Sequence, residues 1–321
     1  LGQADLTEQS QRDDGSMMPI YWDISSMLSY LSRRTVIDEG MTVLLEFATP
    51  EVVGSRPTWS REFLGDKIGS TPKILEGVGV KELLGLMDEA KIERAFLIAP
   101  KMGRVGLPQS WSLDPKIVYD TVEKHPDRFS GIVGIDPFTG MQGVRELELM
   151  VKEYGFIGAH SYPHWFEMSP DDARFYPFYA KCAELNIPIQ MQVGHCLRYS
   201  NENPLPSVGK PSTIDTIACH FPELKIIGIH IGWPWTEEMI AVAYKHPNVY
   251  IGTDAYAPKY WDPRFVHFIN TFGQDKVIFG TDFPVIPHQR ARQEISELDL
   301  KATSEKKLLR ENVISIYGLK V

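Results

Sequence analysis

The segment KVIFGTDFPV, Lys276 to Val285, decides how the rest of the chain is read. Val277, Ile278 and Phe279 form a short apolar run, and Gly280 breaks it. Such a run, bounded by turn residues, predicts a buried strand. Thr281 and Asp282 then follow before Pro284, so the strand offers one carboxylate at its C-terminal end, on a turn stiffened by the proline. A turn aspartate can also cap the next helix. The surrounding pattern decides between the two.

Upstream of Lys276, apolar strands and amphipathic helices alternate from residue 80 onward. VKELLGLMDEAKI is a helix by the spacing of Leu83, Leu84, Met87 and Ala90, and ERAFLIAP is a strand. The same pair recurs as PKIVYDTVEKHPDRF and FSGIVGIDP, GVRELELMVKEYG and FIGAHSYP, and FYPFYAKCAELN and IPIQMQVG. It continues through STIDTIACHFPE and LKIIGIHIG, PWTEEMIAVAYKHP and NVYIGTD, and DPRFVHFINTFGQ before the quoted strand. Two further helices are expected around Arg290 to Glu297 and Ser304 to Tyr317. Alternation of this kind predicts a parallel sheet. Seven strands are clear, an eighth is expected near the N-terminus, and no GxGxxG follows an early strand. The expectation is a distorted (β/α)8 TIM barrel with an irregular N-terminal insertion.

Residues 1–18 read as an N-terminal arm and 19–321 as one barrel domain. Residues 41–80, rich in Gly and Pro, form the irregular insertion, a lid or a dimer contact. The chain has 321 residues, 43% of them hydrophobic, with a net charge of −9. Length and composition allow one large core. Apolar runs reach only strand length, which excludes a membrane span, and the absence of a basic block argues against nucleic acid. Cys182, Cys196 and Cys219 are an odd set without metal spacing, as in a cytoplasmic protein.

In such barrels the active site lies at the C-terminal ends of the strands. Those ends carry Lys101, Asp136, His160, Tyr162, His164, Gln192, His195, His230, Asp254, Tyr256 and Asp282. His164 can instead be a loop residue bonded to backbone, and Asp254 a turn cap. His125, His220, His246 and His267 lie on helices and read as structural, while His288 reads as solvent-facing. The catalytic candidates are Asp282, His230 and His160. Gln192, His195, Tyr162, His164, Trp233, Arg198 and Tyr256 are the substrate-binding candidates, with Trp165 as a further apolar wall. Lys101, Arg104 and Arg198 are rim cations suited to a substrate carboxylate.

GIHIGWPW with His230, TDFP with Asp282, and RFYPFYAKCAELNIPIQMQVGH resemble the amidohydrolase superfamily, in its amidohydrolase-2 branch. The resemblance covers about residues 80 to 318, with His230 and Asp282 in the expected order about fifty residues apart. It implies a distorted (β/α)8 barrel, Asp282 as metal ligand or proton-transfer group, His230 as ligand or substrate donor, and a homodimer. The family's first-strand His-x-His pair has no counterpart, since the first histidine in the sequence is His125. If YWDISSML is that strand, Asp23 matches the family and Ser25 and Met27 occupy the ligand positions. Gln192 stands where the fifth-strand histidine is expected, and His160 where many relatives have a lysine or arginine.

Only Asp282 and His230 are then kept as family ligands, so no metal is expected at the standard site, although Asp23, Gln192 and Asp282 could hold a weak Zn, Mn or Mg ion. Metal-independent chemistry would use Asp282 as a general base, its pKa raised by burial, and His160 or His195 to protonate a leaving group or stabilise an oxyanion. The expected function is hydrolysis of a small carboxylated cyclic or aromatic compound, at a lactone, an ester or a C–C bond. The alternatives are a decarboxylase or other lyase on an aromatic or unsaturated acid, and a non-catalytic ligand-binding barrel.

Overall fold

A computed structural model describes residues 78–104, 107, 110–197, 204–283 and 285–320. Seven strands form one parallel sheet: β1 (Ala95–Ala99), β2 (Phe129–Gly134), β3 (Gly158–Ser161), β4 (Ile189–Gln192), β5 (Ile226–Ile229), β6 (Val249–Gly252) and β7 (Val277–Ile278). They correspond to the second through eighth strands expected from the sequence. Each pairs with the next in sequence, and the order never reverses. A doubly wound sheet needs a reversal. A sheet wound in one direction instead curls into a barrel with its helices outside, and the chain has the TIM-barrel fold. The expected first strand, with Asp23, Ser25 and Met27, lies outside the described residues. So do the arm and all of the insertion except residues 78–80.

The helices are α1 (Val80–Glu89), α2 (Pro115–Lys124), α3 (Gly140–Lys152), α4 (Tyr176–Glu184), α5 (Pro211–His220), α6 (Thr236–Lys245), α7 (Pro263–Asn270) and α8 (His288–Ser296). Their starts follow elementary rules. Asp114 and Asp262 each accept a hydrogen bond from the backbone two residues on, and a proline opens the helix that follows. The strands are almost wholly buried, which is why they read as apolar runs rather than as alternating ones.

The chain finishes beneath the barrel, through α9 (Ala302–Lys306), a π-helical turn (Lys307–Glu311) and α10 (Asn312–Tyr317). Asn312 donates to the carbonyls of Gln274 and Val277, and Lys225 donates to that of Ile316. These bonds fix α10 to the N-terminal ends of β5 and β7. Tyr317 packs edge-on against Phe96, with ring centroids 4.7 Å apart. Gly158 makes room for it, because a Cβ there would come within 3.0 Å of the Tyr317 ring.

Candidate active site

The C-terminal ends of β5, β6 and β7 bring the central residues together. β5 stops at Ile229, and His230, Ile231 and Gly232 all take left-handed backbone, with φ of 67°, 48° and 70°. For a β-branched residue such as Ile231 that is a genuine outlier. The turn aims the His230 side chain at Asp254, with Nε2 3.2 Å from Asp254 Oδ2. The two face each other as a close imidazole–carboxylate pair, and both atoms are buried. Asp254 Oδ1 also accepts from the His230 backbone N–H at 3.3 Å.

Asp254 and Asp282 occupy equivalent places. Gly252-Thr253-Asp254 ends β6 as Gly280-Thr281-Asp282 follows β7. Thr253 stitches the two ends together, its hydroxyl accepting from the Gly280 N–H at 3.0 Å. Asp282 sits at φ 56° and Ala255 at 64°. Backbone held in such regions costs about 1–3 kcal/mol per residue and tends to cluster at functional sites. Asp282 does not cap the next helix, since the residue before α8 is Pro287. Burial alone would lower the His230 pKa, but the carboxylates of Asp254 and Asp282 outweigh it and hold the imidazole above its ordinary value.

His160 and Gln190 are paired in register on β3 and β4 and are fully buried. His160 Nδ1 lies 3.0 Å from Gln190 Oε1, and the Gln190 amide nitrogen reaches the Tyr317 hydroxyl. Burial, partly countered by Gln190, lowers the His160 pKa to about 3, and the nearby His230 adds to the fall. The ring is therefore neutral, and it cannot serve as a protonated acid at ordinary pH. Tyr162 lies against it, centroids 4.2 Å apart.

The other candidates divide between wall and scaffold. Trp233 and Tyr256 lie 5.8 Å apart in a tilted pair on the rim. Gln192 ends β4, half-buried. His195 is exposed, with Nδ1 2.8 Å from the Ser207 hydroxyl and its ring 5.8 Å from that of Trp235. His164 accepts from the Val208 backbone N–H at 3.1 Å, as its backbone-bonded reading anticipated. Burial lowers its pKa to about 4. Arg198 lies outside the described residues.

Two expectations are corrected here. Lys101 is not a free rim cation, since it pairs with Glu146 at 2.7 Å. His288 is not solvent-facing; it is buried, its ring 4.4 Å from that of Phe283, and burial lowers its pKa to about 3. It opens α8, so its side chain folds back onto the β7 turn.

Asp254 belongs to the central group, although the sequence reading left it out of the site residues. The repeated Gly-Thr-Asp at two successive strand ends was the signal that could have found it.

Asp254, Asp282 and His230 place two carboxylates around one imidazole in a buried mouth. His230 Nε2 and Asp254 Oδ2 are buried and face each other at 3.2 Å. Oxygen and imidazole donors are of the kinds that manganese, magnesium and zinc accept. Among the described residues, one group of three metal-ligating side chains has all its ligand atoms within 4.8 Å of one another: Asp215, Cys219 and His246. It lies on the outer helices at the opposite end of the barrel, where Lys245 pairs with Asp215 at 2.7 Å.

Several known proteins are similar to this chain. A 2-keto-4-carboxy-3-hexenedioate hydratase from Sphingobium is 31% identical over 113 residues, 32% of this chain and 33% of that one. The chain thus aligns with about a third of that relative's length. A gamma-resorcylate decarboxylase from Polaromonas is 22% identical over 253 residues, covering 62% of this chain and 73% of that protein. A structure of 5-carboxyvanillate decarboxylase from Novosphingobium aromaticivorans, complexed with manganese and 4-hydroxy-3-methoxy-5-nitrobenzoic acid, superposes with a TM-score of 0.67. It shares 18% identity, covering 96% of this chain and 97% of that one. The expectation of metal-independent chemistry finds no support in this neighbour, whose structure contains manganese. The hydrolase expectation finds no support among the curated relatives that match, which are a hydratase and decarboxylases. The Amidohydrolase family model matches residues 115–319, more than half of the sequence, and the chain belongs to that family.

Proposed function

We propose that this chain is a metal-assisted lyase that removes CO2 from a small aromatic or unsaturated carboxylic acid. The observation that carries the reading is His230 held between Asp254 and Asp282 on strained turns at three successive strand ends. The decarboxylase relatives support it. His230 and Asp282 are the described residues that would hold a divalent ion, with Asp254 behind His230; when bound, such an ion would supply positive charge to fix the substrate's carboxylate.

The chain's own groups do the rest. In decarboxylation the bond from carbon to carboxylate breaks, CO2 departs, and the electron pair stays on the substrate carbon. That carbon then takes a proton. Solvent supplies it, and the carboxylate of Asp282, at the end of β7 and close enough to act on His230, orients the donor. Asp254 holds the His230 ring in place, as a carboxylate behind a ligating histidine does. Trp233 and Tyr256 form an apolar wall suited to a flat ring.

The hydratase match favours a second lyase reading, addition of water across a conjugated double bond. The test is therefore a panel of hydroxybenzoates and unsaturated diacids, incubated with manganese-loaded protein while CO2 release and ultraviolet absorbance are followed. CO2 release that falls about 100-fold or more in Asp282→Asn supports the proposal. Absorbance loss without CO2 points to hydration, and binding without turnover points to a binding barrel.

A further inference from the structure

The barrel interior holds a polar column that apolar packing does not require. From the bottom it runs Tyr317, Gln190, His160, and ends below the mouth where His230 acts. His160 and Gln190 are both fully buried. Burying an amide and an imidazole is costly unless their polar atoms are paired, and here every link but one is made. The exception is His160 Nε2, which is buried without a hydrogen-bond partner among the described residues.

The direction of the column follows from its donors and acceptors. The Gln190 amide nitrogen donates to the Tyr317 oxygen, which leaves Oε1 facing His160. An amide oxygen can only accept, so Nδ1 must carry the imidazole proton. A neutral imidazole has one proton, and Nε2 is therefore a bare lone pair. Orphaned acceptors are also tolerated in protein interiors better than orphaned N–H donors.

We propose that Gln190 and Tyr317 are positioning residues that lock His160 with its proton on Nδ1, so that Nε2 meets the substrate as a hydrogen-bond acceptor. The inference rests on the lyase reading only in taking the barrel mouth as the substrate site. It reverses the polarity expected of His160 from sequence, where it was a proton donor. A substrate would then turn its carboxylate toward His230 and a hydroxyl or amine toward His160. A ligand with an acceptor at that place would be excluded by lone-pair repulsion and by the loss of a hydrogen bond.

The experiment is long-range proton–nitrogen correlation NMR on the full chain labelled with 15N-histidine, with the His160 signals assigned from His160→Gln. The expected result is a His160 ring protonated on Nδ1, unchanged between pH 8 and pH 5. In Gln190→Leu the same ring should revert to a mixture of tautomers. Gln190→Glu, which keeps the acceptor, should retain the Nδ1 proton and raise the pH at which the ring titrates; it decides the matter if Gln190→Leu does not fold. A His160 protonated on Nε2 in the wild type, or an unchanged tautomer in Gln190→Leu, overturns the proposal.

Binding of 2-hydroxybenzoate and 2-methoxybenzoate, measured by calorimetry, provides a second readout. The wild type should prefer the hydroxyl compound by about tenfold, and Gln190→Leu should lose that preference. Equal affinities in the wild type would contradict the acceptor role. Neither readout needs turnover, so a protein that releases no CO2 yet shows the Nδ1 tautomer would defeat the lyase reading and leave this one standing.

Discussion

Asp254 and Asp282 show how much a single side chain's setting matters. Both follow Gly-Thr at the end of a barrel strand, and both act on His230. Asp254 is completely buried, so its effect on the substrate passes through the imidazole it faces. Asp254→Asn keeps the size and removes the charge. It should fold normally and lose about 10–100-fold in activity or metal affinity, as carboxylates behind ligating histidines do. A kcat/KM within twofold of wild type would make Asp254 a packing residue.

Three neutral histidines also set the response to acid. Burial lowers His160 and His288 to about 3 and His164 to about 4. In the unfolded chain they would titrate near 6.5. Between those limits the unfolded state binds more protons, so stability is full above about pH 6.5 and falls as the pH drops toward 4. Each such group costs on the order of 1 kcal/mol per pH unit in that window. Thermal melting followed from pH 7.5 to pH 5 should show Tm falling steadily; a flat Tm would mean that these rings are reached by protons in the folded state.

At the scale of elements, the strand ends were legible and their turns were not. The apolar runs and their terminal polar residues follow from a two-sided burial pattern that any reader of the sequence can apply. The left-handed turn His230–Ile231–Gly232 could not be foreseen, because Ile231 is among the residues least suited to it. Strand alternation breaks at Ile229, so the direction of His230 depends on that turn.

Gly194 shows the same dependence on close approach. It has φ 102°, and a Cβ there would lie 2.3 Å from the Trp233 carbonyl oxygen. That oxygen accepts from the His195 N–H at 2.7 Å, joining the turns after β4 and β5. Gly194→Ala should therefore destabilise by about 2 kcal/mol or more. Chemical denaturation measures this directly, and a loss below about 0.5 kcal/mol would show that the two turns can separate without cost.

At the scale of the molecule, the alternation of helix and strand was enough to predict the barrel, because parallel strands in unbroken order have few other ways to cover both faces. What the barrel contains was less accessible. Gln190 reads as one polar letter in an apolar run, and Tyr317 as the end of a last helix. Their contact across 127 residues of chain becomes visible only when α10 is placed beneath the sheet. Asn312 is the pin that places it, donating to two carbonyls at the base of β7. Asn312→Ala leaves one buried acceptor, that of Val277, without this donor and should cost about 1–3 kcal/mol in denaturation. An unchanged midpoint would mean that α10 is held by its apolar face alone.

The expectation of a metal-free centre rested on sequence position alone. It counted ligands by the family's usual positions, whereas the mouth gathers Asp254 beside His230 from a strand end not counted among them.

The central claim is that this mouth binds a divalent ion for lyase chemistry. Titration of the chelator-treated protein with Mn2+, read by the loss of the free-ion electron paramagnetic resonance signal, tests it most directly. The account predicts uptake of about one ion per chain that weakens at least tenfold in Asp282→Asn and in His230→Ala. Absence of uptake, or uptake that neither substitution changes, would contradict it.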